Sequence, residues 1–288
     1  LLGIQGNIFV PNITPPQKQN RIKYFGKKNI NLILSGSNFN ETLENAIHFT
    51  QKNKSTFIHP YDDIDIIEGQ STIGYEIATE INPDYCISSI GGGGLISGLS
   101  LSLPENCKII GCEPENADSM RVALQNGKPT KLEVLDNFVD GASVSQVGQE
   151  TFKICQKIFT DLHDIKVISN GHICHELLNM YQDEGIILEP AGVLPICALE
   201  YCDKDEIKGK NVVCVLSGGN NDVSRYPEIM EKNLIYLNLK HYYIIEFTQK
   251  PKQLKKFILN VLGPNDDITR FEYIKKTNKF FGNVLIGL

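Results

Sequence analysis

Short apolar runs and amphipathic stretches take turns along the first three quarters of this chain. Gly6-Asn7-Ile8-Phe9-Val10, Ile30–Leu34 and Thr56-Phe57-Ile58 have the length and composition of strands. Between them, Thr14-Pro15-Pro16 opens a helix with Ile22 and Phe25 on its apolar side and Gly26 at its end. A second helix, from Asn40 to Asn53, carries Leu43, Ala46 and Ile47. This β-α-β-α-β order predicts a parallel sheet with right-handed crossovers. His59-Pro60-Tyr61-Asp62-Asp63 then breaks the alternation with a rigid polar turn, where a sub-domain boundary is expected and His59, Asp62 and Asp63 shape a hinge.

The alternation resumes with a helix over Asp65–Ile81 and a strand over Tyr85–Ile90. A helix after four glycines, a strand at Lys108–Cys112 and a helix over Ala117–Gln125 follow, the last stopped by Asn126-Gly127. Lys128–Ser145 is polar and Asp-rich and reads as a loop crossing the surface. Helices over Thr151–Phe159 and His172–Asp183 flank a strand at Ile165–Ile168, and another helix follows Glu189-Pro190-Ala191-Gly192. Asn211–Leu216 has the most continuous apolar character and predicts a buried strand. Beyond Arg225 the pattern changes. A charged helix at Glu228–Asn233 leads to strands at Tyr242–Phe247, Ile268–Tyr273 and Val284–Ile286. A helix over Pro251–Leu262 places Leu254, Phe257, Ile258 and Val261 on one face.

The 288 residues suffice for about two domains, and a net charge of −6 provides no basic face for nucleic acid. No apolar run approaches the roughly 18 residues of a membrane span. Eight scattered cysteines, several inside apolar runs, predict buried reduced thiols and a cytoplasmic setting. The chain begins at Leu1, almost directly in a strand, and ends in one, so a fragment cut at both ends is the expectation.

Candidate chemistry concentrates at two strand ends. Ile87-Ser88-Ser89-Ile90-Gly91-Gly92-Gly93-Gly94-Leu95-Ile96-Ser97-Gly98 reads as strand, tight loop, helix. Glycines let successive amides line one concavity, and a helix start adds unpaired donors and a positive dipole end. The stretch is neither a P-loop, lacking a following Gly-Lys-Ser/Thr, nor a dinucleotide fingerprint, because Ile96 holds the sixth position. A phosphate cradle and a ligand-free turn are the two readings. The second strand end is Ser217-Gly218-Gly219-Asn220. Ser217 is either a turn serine or the hydroxyl partner of a heterocyclic nitrogen. Facing a pyridine, a hydroxyl leaves the nitrogen largely unprotonated, which favours elimination at a β-carbon. Ligands bind at such carboxyl ends of parallel strands.

Together, Gly91-Gly92-Gly93-Gly94-Leu95, Glu189-Pro190-Ala191-Gly192 and Ser217-Gly218-Gly219-Asn220 resemble the pyridoxal-phosphate enzymes of the tryptophan-synthase-β type, and more narrowly the threonine dehydratases. Phe57–Asp63, Glu68-Gly69-Gln70-Ser71-Thr72, Val139-Asp140-Gly141-Ala142 and Gly148–Phe152 add to the resemblance, as does the ACT-like tail with Leu262–Tyr273. It implies an α/β pyridoxal-phosphate fold in two sub-domains with parallel or mixed sheets, plus a partial α+β ACT-like domain. The implied boundaries are 1–58 for the rest of the small sub-domain, 59–225 for the large one, 226–234 for a linker and 235–288 for the regulatory part. The implied reaction is deamination of L-threonine to 2-oxobutanoate and ammonia, the first step of isoleucine biosynthesis. Gly91, Gly92, Gly93, Gly94 and Leu95 would bind the cofactor phosphate, Ser217 the ring nitrogen, and Glu189 would lie near the ring. Isoleucine or valine as effectors and a homo-oligomer, dimer or tetramer, are further implications. A serine dehydratase or racemase of the same fold, or a non-catalytic degenerate relative, are the alternatives.

The family's Schiff-base lysine and its substrate-carboxylate loop precede the first strand seen here, and neither motif occurs in this sequence. The polypeptide as given is therefore expected to be inactive and an intact parent active. Glu113-Pro114-Glu115-Asn116-Ala117-Asp118 resembles a divalent-cation segment of serine racemase relatives, but Ser119 stands where they carry aspartate, so Glu113 is a weak metal candidate and a structural loop is expected. His172-Ile173-Cys174-His175 is ligand-like in composition only, and a solvated helix is expected. Lys255-Lys256 and Lys275-Lys276 read as solvated faces.

Overall fold

The computed structural model describes residues 3–37, 39–273 and 280–288. The chain divides into two compact units, residues 1–59 and 60–288.

In the first unit, β1 (Gly6–Val10), α1 (Pro16–Gly26), β2 (Ile30–Leu34) and α2 (Phe39–Asn53) follow in order. The two strands pair in parallel, Gly6 opposite Ile30 through Val10 opposite Leu34. Helix α1 supplies the crossover that a parallel pair requires. The expected third strand at Thr56-Phe57-Ile58 is extended chain without a ladder. No neighbouring strand pairs with it among the described residues, and Ile58 is exposed.

The second unit contains α3 (Ile64–Glu80), β3 (Tyr85–Ser89), α4 (Gly94–Ser102), β4 (Lys108–Pro114), α5 (Ser119–Asn126) and α6 (Gln149–Ile158). Then come β5 (Ile165–Ile168), α7 (Asn170–Gln182), α8 (Pro190–Leu199), α9 (Lys204–Ile207), β6 (Val212–Cys214) and α10 (Tyr226–Tyr236). Four parallel strands lie in the order β5-β4-β3-β6. Side chains alternate across this sheet, so Cys86 and Ile109 enter one core while Ile87 and Ile110 enter the other. The first core is closed by α4 and α6, through Leu99 and Phe152. The second is closed by α7 and α8, through Ile173 and Leu194. Small residues let α3 and α4 approach closely. A Cβ on Gly98 would stand 2.6 Å from the Gln70 Cβ, and one on Gly74 would stand 2.3 Å from the Ser102 Oγ.

Two sequence expectations change here. Lys128–Ser145 contains neither helix nor strand, yet Phe138, Val139 and Ala142 are buried in the α7/α8 core. Its polar composition concealed three inward side chains, too few within 18 residues to mark a periodic face. Asn211–Leu216 supplies only a short strand, β6, whose residues are half-buried because it lies at the sheet's edge.

The tail continues with β7 (Tyr242–Thr248), α11 (Gln253–Asn260), β8 (Arg270–Tyr273) and β9 (Phe281–Gly287). The strands form an antiparallel sheet in the order β7-β9-β8 over Phe247, Phe257, Val284 and Ile286. Of the expected apolar face of α11, only Phe257 is buried, while Leu254, Ile258 and Val261 remain exposed. Helix α10 connects this module to the main core. Its Ile229 is fully buried against α7 and α8 neighbours, and Glu231 accepts from Lys240 at 2.7 Å and from the Tyr242 hydroxyl. Lys275-Lys276 lie outside the described residues.

Candidate active site

The glycine loop sits at the carboxyl end of β3, between that strand and α4. The Gly93 amide donates to the Ile90 carbonyl at 2.9 Å, closing the turn. Gly91 and Gly93 have φ of 53° and 90°, a left-handed region that other residues enter only with strain. Outside the turn, the space for side chains is already taken. A Cβ on Gly92 would stand 2.4 Å from the Tyr61 ring, one on Gly91 3.1 Å from the Ala142 Cα, and one on Gly93 2.9 Å from the Thr151 Cβ. No side chain caps α4, so the amides of its first turn, Leu95 included, meet no side-chain acceptor.

Three elements hold this loop, and consecutive residues of one turn connect them. Tyr61 covers Gly92 and Gly94. Asp62 accepts from the amides of Gln149, Glu150 and Thr151 at 2.9, 2.8 and 3.1 Å, capping α6. Asp63 accepts from the Asp65 amide at 2.9 Å, capping α3. The segment read as a hinge thus ties two helix starts to the loop. Burial first, and the Asp62 charge second, push the Tyr61 phenol up to about 12. It is therefore a neutral wall at any working pH.

The second strand end lies next to the first. β6 neighbours β3, and the Ser217 Oγ stands 3.3 Å from the Ser89 Oγ. Ser217 is exposed while Ser89 is buried. Glu189 occupies the N-cap position of α8, and its amide donates to the Gly218 carbonyl at 3.0 Å. Glycines make room for its side chain. A Cβ on Gly218 would stand 2.3 Å from Glu189 Oε1, and one on Gly141 2.9 Å from it. Gly192 is required for the same junction, since its Cβ would stand 2.4 Å from the Gly218 carbonyl oxygen.

The two strand ends therefore form one site. Gly91, Gly92, Gly94 and Leu95 provide amide donors while Gly93 closes the turn, the Ser89–Ser217 pair provides hydroxyls, and Glu189 with Gly141 and Gly218 provides a wall. This donor set fits a phosphate ester on a heterocycle: an uncapped helix start for the anion, and a neutral hydroxyl on the adjacent strand for a ring nitrogen. Thr151 adds a buried hydroxyl beside Gly93 that has no hydrogen-bond partner among the described residues.

Glu113 stands apart from this site. It is fully buried, and its two oxygens accept from the amides of Met120 and Arg121, both at 2.9 Å, at the start of α5. Burial outweighs those two bonds and pushes its carboxyl up to about 8. His172 lies within α7 but is only 1% exposed, so the expected solvated helix face is covered at that position. Ser89, Tyr61 and Asp62 escaped the reading of single motifs, because each acquires its role from a partner far away in sequence. The sole local signal was the rigid His59–Asp63 turn.

Residues 1–218 match the model of the family described as pyridoxal-phosphate dependent enzyme. Residues 231–288 match the C-terminal regulatory domain of threonine dehydratase. The chain is 52% identical over 292 aligned residues to the biosynthetic L-threonine dehydratase of Halalkalibacterium halodurans, covering all of this chain and 69% of that protein. It is 43% identical to the corresponding Bacillus subtilis enzyme, covering 68% of it. Among solved structures, the processed form of threonine deaminase isoform 2 from Solanum lycopersicum superposes with a TM-score of 0.71 at 33% identity. That match covers 79% of this chain and 66% of the tomato chain.

Proposed function

The chain belongs to the pyridoxal-phosphate-dependent enzymes and, within them, to the threonine dehydratases, and from that premise we propose that it deaminates L-threonine to 2-oxobutanoate and ammonia. The observation that carries the assignment is the placement of an uncapped glycine loop and a serine hydroxyl on neighbouring strand ends. Pyridoxal phosphate, when bound, supplies the electron sink that lets a substrate lose its α-proton and β-hydroxyl. The residues described here hold and tune it. Gly91, Gly92, Gly93, Gly94 and Leu95 receive the phosphate. Ser217 would donate a hydrogen bond to the ring nitrogen, and Ser89 at 3.3 Å is placed to donate one to Ser217 in turn. A hydroxyl there, in place of a carboxylate, keeps the nitrogen unprotonated and biases the outcome to elimination. Glu189 fixes the Gly218 backbone that follows Ser217.

The regulatory module supports the accompanying proposal of feedback by a branched amino acid such as isoleucine or valine. A groove of about 490 Å³ is lined by Pro227, Glu228, Glu231, Tyr242, Arg270 and Leu285, which combines carboxylates, a guanidinium and apolar surface. Exposed Tyr243 and Ile244 on β7 and Leu254 and Ile258 on α11 support homo-oligomerisation through this module. A cytoplasmic location accords with eight thiols among which no disulfide forms. No helix among the described residues is long and apolar enough to cross a membrane.

The deciding experiment measures 2-oxo acid and ammonia released from L-threonine and from L-serine by the full-length protein with cofactor. Faster release from threonine, lowered by added isoleucine or valine, is expected. Racemisation of serine without release from threonine would replace the proposal with the racemase alternative, and no turnover of either would favour the degenerate one.

A further inference from the structure

The carboxyl end of α8 carries a second cluster of polar side chains, roughly 15 Å along the helix axis from Glu189 at its other end. His172 and Glu176 are one turn apart on α7, so both project from the same face toward Glu200, the residue that ends α8. One ligand atom from each lies within 4.8 Å of the other two.

The imidazole is held in a defined orientation. Its Nδ1 stands 3.3 Å from the Tyr201 hydroxyl, and its ring stacks on Tyr236 of α10 at 5.6 Å with 3° between planes. Gly171 permits that stacking, because a Cβ there would stand 2.8 Å from the Tyr236 Cβ. The other nitrogen is left over. His172 Nε2 is buried with no hydrogen-bond partner among the described residues, although Glu200 Oε2 is only 3.5 Å away. An imidazole that donates from Nδ1 to Tyr201 presents a lone pair at Nε2, and a lone pair facing two carboxylates is repulsive unless a cation stands between them.

We propose that His172 Nε2, Glu176 and Glu200 form a binding site for a borderline divalent cation of the zinc or cobalt type, which staples α7 to the end of α8 beneath Tyr236. One imidazole and two carboxylates select such ions over magnesium or calcium, which prefer oxygen alone. Tyr201 is the outer partner, its hydroxyl accepting from Nδ1 in the tautomer that leaves the Nε2 lone pair for the cation. Glu200 is mostly exposed, so the cation enters from solvent and the exposed carboxylate closes over it. The neighbouring His175 is not a ligand. Its Nδ1 stands 3.0 Å from Asn233 Oδ1 and its Nε2 3.2 Å from Asn179 Nδ2. The cation sits away from the glycine loop and has a structural role at the base of α10, the helix that leads to the regulatory module.

The test titrates zinc, and separately cobalt, into the full-length holoenzyme after chelator treatment and desalting, with bound metal counted by mass spectrometry. One ion per chain is expected, with a visible cobalt spectrum and a rise in melting temperature on adding zinc. Glu200→Gln, at an exposed position, is expected to weaken binding by at least about 10-fold and to abolish the zinc-induced rise. Glu176→Gln is expected to do the same, while His175→Gln leaves binding intact. No uptake by the wild-type protein overturns the proposal. So does equal affinity in Glu200→Gln and wild type, which would place the ion elsewhere. A Glu200→Gln protein destabilised equally with and without zinc would make the contact a histidine–carboxylate ion pair only, and overturns it too.

Discussion

Replacing Asp62 by alanine tests whether the cofactor loop is held by the start of α6. The Asp62 carboxylate receives three amides of that helix, two of them part-buried and one exposed. The exposed Gln149 amide regains water in the variant and costs little. The Glu150 and Thr151 amides lose a charged acceptor without full rehydration, at about 1 kcal/mol each. Loss of a negative charge at a helix start adds about 0.5 kcal/mol. Together this gives about 2 to 3 kcal/mol for Asp62→Ala. Asp62→Asn keeps Oδ1, which serves both part-buried amides, and loses the charge and the Gln149 contact, for about 1 kcal/mol. At about 2 to 4 °C per kcal/mol for a unit of this size, Asp62→Ala lowers the melting temperature by about 4 to 12 °C. The consequence reaches the site because Thr151 lies beneath Gly93 and Tyr61, the residue before Asp62, covers Gly92. If about 1.4 kcal/mol of that support is lost, the dissociation constant for pyridoxal phosphate rises about tenfold. Urea unfolding followed by tyrosine fluorescence, in a chain without tryptophan, and cofactor titration measure the two effects. The reasoning fails if Asp62→Ala melts with the wild type, or if Asn is as damaging as Ala.

Other perturbations separate the remaining parts. Glu113, raised to about 8 in the folded chain from the ordinary 4.5, binds its proton more tightly when folded, so its contribution is complete below 4.5 and is lost as pH rises through 8. The difference in unfolding free energy between wild type and Glu113→Gln should therefore shift in favour of the variant by up to about 1.4 kcal/mol per pH unit in that window, and parallel pH profiles would refute it. Gly192→Ala drives a Cβ to 2.4 Å from the Gly218 carbonyl, which is backbone and cannot yield. A loss of about 1 to 3 kcal/mol is expected, together with weaker cofactor binding. Ser217→Ala should weaken cofactor binding about tenfold, for the loss of one hydrogen bond of about 1.4 kcal/mol, without changing the far-ultraviolet circular dichroism. Unchanged binding and turnover in that variant would remove Ser217 from the site.

The glycine loop was legible because strand, loop and helix are adjacent in sequence and the glycines declare a concavity without side chains. The positions that hold it were not. Asp62 and the Thr151 amide are 89 residues apart, and nothing at either end marks the other. Ala142, which closes over Gly91, sits in a polar stretch where only Phe138, Val139 and Ala142 are buried; their spacing suits a helix face, yet the chain there forms no helix. Thr56-Phe57-Ile58 shows the opposite failure: β-prone residues predicted a strand, but a ladder needs a neighbour, which local composition cannot supply.

His172 shows why burial is the hardest property to read from a helix. Polar residues at i and i+3 suggested a wet face, and periodicity is blind to what another helix lays across that face. The cover here comes from Tyr201 and Tyr236, one at the end of a neighbouring helix and one 64 residues downstream in α10. Once covered, the ring nitrogens become strong constraints, since a buried polar atom needs a partner and composition alone never reveals whether one is present. The glycine loop is the same case with the sign reversed. There the unsatisfied groups are amides at a helix start, the missing partner is an anion, and the local sequence announces it because glycine is the residue that leaves amides uncovered. Sites built from backbone donors are therefore read from sequence, and sites built from side chains on separate helices emerge only when the fold brings them together.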